Sequence, residues 1–210
     1  MPIKTFEKLP DEKKKLILST GIKEFAHKSY NDVSTDALTK FCGISKGILF
    51  HYFGSKKQFY LYCLEKSMNR LTEKTEEVDS DNFYDIIFST MNRKMALCLE
   101  HRNEMLMVNM ATRDADVETA QEKAEILGKY MLAVKAESAA IMRKAVSALN
   151  FKNQAETEKV AEGLHLYINA VINKYLLLYQ NTPEKFFENS EDIKTEMKSY
   201  LDFMLYGICG

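Results

Sequence analysis

The side chains best placed to do chemistry lie between Val33 and Lys57, in the stretch VSTDALTKFCGISKGILFHYFGSKK. Lys46, His51 and Tyr52 are hydrogen-bond donors on a segment otherwise rich in apolar residues. Thr35, Ser45 and Lys56 each stand where a short helix should begin. The chemistry they suit is recognition rather than bond-making. A lysine donates to guanine O6 and N7, and hydroxyls, lysines and the free N–H groups of helix N-termini meet phosphate oxygens. Catalytic arrangements are not written in the sequence. His27, His51, His101 and His165 are far apart, with no HExxH pair, no Gly-rich phosphate loop and no nucleophile elbow. Cys42, Cys63, Cys98 and Cys209 have no CxxC spacing and read as free thiols of a reducing compartment. No enzyme activity, metal or cofactor is expected.

These groups need elements to hold them. A Ser34–Thr35 pair followed by Asp36 supplies N-cap oxygens and a first-turn negative charge, which predicts a helix from Ser34 or Thr35 to Phe41. Cys42-Gly43-Ile44-Ser45 is the turn: Gly43 tolerates φ > 0, Ile44 fills the angle and Ser45 caps the next helix. The second helix runs from Lys46 to about Phe53 and is closed by Gly54. This is a helix-turn-helix, whose second helix lies in the DNA major groove. Lys46 falls in its first turn, Gly47 permits close approach of the backbone, and Leu49 and Phe53 face inward. Lys46, Phe50 and His51 are left outward, with Tyr52 beside them. Thr35 and Lys56 are the expected phosphate contacts.

The segment Gly43-Ile44-Ser45-Lys46-Gly47-Ile48-Leu49-Phe50-His51-Tyr52-Phe53-Gly54-Ser55-Lys56 resembles the N-terminal domain of TetR-type (tetracycline-repressor-like) transcriptional regulators. Their pattern is a glycine, a β-branched residue, a cap, then G-x-L-Y-x-H-F and a short S-K run. The resemblance extends upstream through Ile17, Gly21, Phe25 and Tyr30, covering roughly residues 10 to 65. Phe50 stands where the family usually has Tyr, Tyr52 where it has His, Thr39 where it has a small Ala, and Ser29 where it has Gly. The resemblance implies a homodimer that binds a palindromic double-stranded DNA operator. It also implies a small-molecule effector that shifts the helix after the helix-turn-helix and so changes the separation of the two recognition helices.

Composition agrees with an all-α chain. Three prolines and eight glycines in 210 residues leave little room for β-turns, while Leu, Met, Lys, Glu and Ala abound. The formal net charge of −1 hides an asymmetry: residues 1–57 hold 11 Lys against 6 acidic residues, a balance of +5, and the remainder carries −6. A basic unit on an acidic body is the footprint of a domain that meets phosphates. No apolar run reaches 18 residues and no signal segment is written, so a cytoplasmic protein without membrane partners is expected.

The organisation predicted is a three-helix DNA-binding domain over residues 1–54 and a larger helical effector-binding and dimerisation domain over 55–210. Helices are expected over 11–28, 55–77, 83–99, to about 111, 114 or 116 to 149, 154–180, and from 182–184 to about 205. Leu16, Ile17, Gly21, Ile22, Phe25 and Ala26 of the first should face the helix-turn-helix. The 154–180 helix is apolar over most of its circumference and must be covered on two sides, which points to a two-fold interface made by the last two helices; an internal helix pair in a monomer is the competing arrangement. Met91, Met95 and Met110 are flexible fillers suited to an adaptable apolar cavity, or are simply core. His165, Asn169 and Asn173 share one face at i, i+4 and i+8 and either orient a ligand or form a polar seam in the dimer interface. Tyr60, Tyr62 and Cys63 are the candidates for a cavity wall on the helix after the helix-turn-helix. A partner protein in place of a small effector is the alternative.

Overall fold

The computed structural model describes residues 4–74, 76–149 and 154–207. Cys209 and the loop expected at 150–153 fall outside the described residues. The described chain is all-α: α1 (Lys4–Glu7), α2 (Asp11–His27), α3 (Thr35–Cys42), α4 (Lys46–Phe53), α5 (Lys56–Leu71), α6 (Phe83–Glu100), α7 (Arg102–Arg113), α8 (Ala120–Ser147), α9 (Gln154–Leu178), α10 (Glu184–Glu188) and α11 (Ser190–Tyr206). Packing divides it into two units, Met1–Lys74 with Leu97–Leu132, and Thr75–Ala96 with Ala133–Gly210. The division falls inside α6 and α8. The functional division drawn after residue 54 is one of roles and lies within the first unit.

In the first unit α2 packs against α3, α5 and α7. Its buried row is Ile17, Gly21, Ile22, Phe25 and Ala26, as its periodicity requires, but Leu16 is 43% exposed and is no part of it. Leu16 precedes the i, i+4 row Ile17–Gly21–Phe25 by about 100° of helical turn, enough to carry it off the buried face. Gly21 is where α2 touches α5: a Cβ there would come within 2.4 Å of Phe59 Cζ and 2.8 Å of Cys63 Sγ. Phe59, Tyr60, Leu61, Cys63 and Leu64 of α5 complete the core with Leu38, Cys42, Leu49 and Phe53.

Several elements differ from expectation, among them α8, which begins at Ala120 rather than at 114 or 116. Helix α5 stops at Leu71 rather than near 77, where the Thr72 hydroxyl turns back onto the Met68 carbonyl at 2.7 Å. The last helix is two, α10 and α11, interrupted at Asn189, whose side-chain amide donates to the Lys185 carbonyl at 2.7 Å. Helix α1, Lys4–Glu7, precedes the first expected helix.

The second unit gathers Phe83, Ile86 and Ile87 of α6, Met142, Ala145 and Val146 of α8, Ala161, Leu164, Ile168 and Val171 of α9, and Met197 and Leu201 of α11. Helices α9 and α11 pack together. Leu166, Leu176, Leu177 and Leu178 of α9 and Phe203, Met204 and Tyr206 of α11 are exposed. No described helix is long and apolar enough to cross a membrane.

Candidate nucleic-acid interface

The helix-turn-helix is assembled by local hydrogen bonds. Ser34 Oγ accepts the Ala37 N–H at 3.3 Å to start α3. Gly43 ends it with φ +59°, its N–H donating to the Lys40 carbonyl and that of Ile44 to Thr39. A side chain at Gly43 would strain this left-handed backbone. Ser45 Oγ accepts the Ile48 N–H at 3.2 Å to start α4. Gly54 at φ +79° closes α4 by donating to Phe50, and Ser55 Oγ caps α5 through the Gln58 N–H at 3.1 Å. Thr39, at the contact of the two helices, is buried with its hydroxyl donating to the Asp36 carbonyl at 3.1 Å.

Leu49 and Phe53 are buried and fix the inner face of α4. At about 100° per residue the opposite arc carries Gly47 and His51 at its centre, with Ile48 and Phe50 as its two flanks. Gly47 and His51 are exposed and Phe50 is half-buried. Ile48, 41% exposed, belongs to this outer arc although its side chain is apolar. Tyr52 is half-buried with its ring 5.7 Å from Phe6 and 6.5 Å from Phe53, so it leans into the core as much as outward.

The lysines differ in how free they are. Lys46 Nζ is 3.4 Å from the Asp36 carboxylate, an exposed pair of little energetic weight that DNA can displace. Lys13 donates to the Cys42 carbonyl at 2.7 Å and so serves as the C-terminal cap of α3, while Lys14 pairs with Asp11 at 2.9 Å. Lys56 is half-buried, donates to the Asn31 carbonyl at 3.3 Å and lies 4.6 Å from the centre of the Tyr30 ring. Burial lowers its pKa, opposed by the nearby carboxylates of Glu118, Asp116 and Asp32. Thr35, at the start of α3, is half-buried.

The loop between α2 and α3 is held from the segment between α7 and α8. Asp114 accepts the Tyr30 N–H at 2.7 Å, Glu118 the Tyr30 hydroxyl at 3.0 Å and Asp116 the Asn31 side-chain amide at 3.1 Å. Lys57 pairs with Glu122 at 2.6 Å. Burial and the Glu118 carboxylate push the Tyr30 phenol well above its ordinary pKa. Although burial opposes it, the Thr119 hydroxyl and N–H hold the Asp116 carboxyl below its usual range. The contacts of Asp114, Asp116 and Glu118 to Tyr30 and Asn31 carry no local sequence signal, since they join residues more than 80 apart.

The residues considered for an effector fall into two groups. In the first unit, Tyr60 is buried against Phe25 and Tyr30, and its hydroxyl has no hydrogen-bond partner among the described residues. Tyr62 packs on Phe6 and Phe53 with its phenol pushed up to about 12 by burial, Cys63 is fully enclosed, and Met110 is half-buried. In the second unit are Met91 and Met95 on α6 and His165, Asn169 and Asn173 on α9. His165 Nε2 lies 2.9 Å from the Ser138 hydroxyl, and Asn169 is half-buried while Asn173 is exposed.

Residues 17–63 match the family described as bacterial regulatory proteins, tetR family. Over 73 residues, 33% of this chain, the sequence is 40% identical to an uncharacterised HTH-type transcriptional regulator of Bacillus subtilis, YuxN. That similarity spans about a quarter (25%) of the relative's length. A TetR family transcriptional regulator from Chloroflexus aurantiacus shares the fold with a TM-score of 0.58 at 17% identity, over 99% of this chain and 98% of that one. One from Streptomyces coelicolor does so at 0.63 and 14%, over 95% and 83%. The helix-turn-helix thus lies inside the segment that matches the tetR family, and the described chain shares the fold of these solved regulators.

Proposed function

We propose that the protein is a cytoplasmic homodimeric repressor that binds a palindromic DNA operator through α4 and leaves it when a small, largely apolar effector binds. The outer arc of α4 carries this reading. An exposed glycine and histidine at its centre, Lys46 in its first turn and an inward Leu49–Phe53 row are what a helix lying in a major groove requires. Lys46, Phe50, His51 and Tyr52 are the proposed base-reading residues, with Gly47 allowing close approach. Thr35, Ser45 and Lys56 are the proposed phosphate contacts at three helix N-termini.

The second copy is proposed to dock on α9 and α11. Leu177 at 67%, Leu166 at 65% and Tyr206 at 69% exposure support this, because such an apolar surface is costly to leave in water. A dimer is expected in sedimentation at micromolar concentration, and a monomer there would remove the basis for reading two half-sites about 34 Å apart. The effector is proposed to meet the Met- and Tyr-rich helices. Within the second unit, Met91 and Met95 would form apolar wall with His165, Asn169 and Asn173 as polar contacts; within the first, Tyr60, Tyr62, Cys63 and Met110 are the separate apolar candidates. Coupling of about 1–3 kcal/mol between effector and operator sites suffices for release.

Two substitutions test the reading. Lys46→Ala should change the preferred bases, costing about 1–3 kcal/mol at the position it contacts, whereas Lys56→Ala should weaken binding to all sequences alike. Competition binding against every single-base operator variant distinguishes them. Identical profiles for both variants and the unaltered protein would count against α4 as the reading helix.

A further inference from the structure

Helix α1 lies outside the helix-turn-helix motif, yet it is built into the reading surface. Its Phe6 is 1% exposed and stands among rings of α4 and α5, with centroids 5.7 Å from Tyr52, 4.8 Å from Phe53 and 5.9 Å from Tyr62. Two of these contacts are edge-on and one is tilted, the geometries aromatic pairs prefer, so the three rings together fix where Phe6 sits. The chain then turns sharply. Leu9 N–H donates to the Phe6 carbonyl at 3.1 Å, and Lys14 of α2 donates to the Glu7 carbonyl at 3.2 Å. Locked in this way, Thr5 places its Oγ1 3.4 Å from Nε2 of His51, at the centre of the outer arc of α4.

That proximity bears on specificity. A hydroxyl can donate to or accept from an imidazole nitrogen, so one that engages Nε2 restrains the rotation of the His51 ring in either tautomer. It thereby leaves Nδ1 as the ring nitrogen free to meet a base edge. Tyr52 and Phe53, the residues Phe6 grips, follow His51 directly, so the same anchor fixes the last turn of the helix.

We propose that α1 is a working part of the DNA-reading head, with Phe6 and Thr5 as positioning residues that set the orientation of His51 toward a base pair in the major groove. The proposal rests on the regulator reading above. It is tested with the full chain by selecting preferred sites from random-sequence double-stranded DNA with the unaltered protein and with His51→Ala, Thr5→Val and Phe6→Leu. Thr5→Val keeps the shape of the side chain and removes the hydroxyl; Phe6→Leu keeps apolar bulk and removes the ring. Thr5→Val should lose about fivefold or more of base discrimination at the same base-pair position that His51→Ala relaxes. Its melting temperature and its affinity for DNA of unrelated sequence should stay as in the unaltered protein. Phe6→Leu should lower affinity for the selected site by about three- to tenfold while leaving binding to unrelated sequence in place. A Thr5→Val profile equal to that of the unaltered protein at the position of His51, or a His51→Ala profile with no altered position, overturns the inference and leaves the regulator reading standing. An unaltered protein that selects no site at all overturns both.

Discussion

Gly21→Ala is expected to destabilise the unit that carries the recognition helix by about 1–3 kcal/mol, against the usual preference of helices for alanine. The added methyl group would lie 2.4 Å from Phe59 Cζ and 2.7 Å from Cε1, with Cys63 Sγ at 2.8 Å. None of these atoms has room to retreat. Phe59 is 1% exposed, with its ring 6.2 Å from that of Phe25 and 4.6 Å from that of Phe53, and Cys63 is fully buried. Relief therefore requires α2 and α5 to separate, and Phe53 of the recognition helix moves with them. Gly128 of α8 is the control: an added Cβ there meets nothing within 4 Å, so Gly128→Ala should stabilise the protein by roughly 0.5–1 kcal/mol. Thermal or denaturant unfolding of the two variants checks both signs. A Gly21→Ala protein as stable as the unaltered one would show that the α2–α5 contact is looser than these distances.

The second large effect is on salt dependence. The 11 lysines of residues 1–57 overstate the cations available to DNA. Lys13 is spent on the Cys42 carbonyl, Lys14 pairs with Asp11, Lys28 with Glu24 and Lys57 with Glu122. With about four phosphates neutralised per subunit, a dimer should show a log–log slope of roughly −7. Between about 50 and 200 mM salt, affinity should then fall by about 10⁴-fold. A slope shallower than about −2 would contradict an interface dominated by phosphate contacts.

The sequence made the helix-turn-helix legible because its stop and start signals act within a few residues. Ser34, Gly43, Ser45, Gly54 and Ser55 each make the cap that their type and position imply. Where a feature depends on distant parts of the chain, the pattern is silent. Helix α1 is four residues long, too short for periodicity, and Phe6 is held by rings at positions 52, 53 and 62. The capture of Tyr30 by Asp114 spans 84 residues. The end of α5 shows a third limit. Its polar stretch after Asn69 reads as helix by propensity, and a single hydroxyl, that of Thr72, marks the stop. On the reading helix, Leu49 and Phe53 follow from spacing, but Ile48 is exposed despite its type.

The most direct measurement is selection of fragments from the source genome on the purified protein, at low and at physiological salt. The expected result is enrichment of a palindromic site whose half-sites are about one helical turn apart, retained at the higher salt with reduced affinity. Binding that depends on salt without any preferred sequence would contradict the assignment of α4 as the recognition helix.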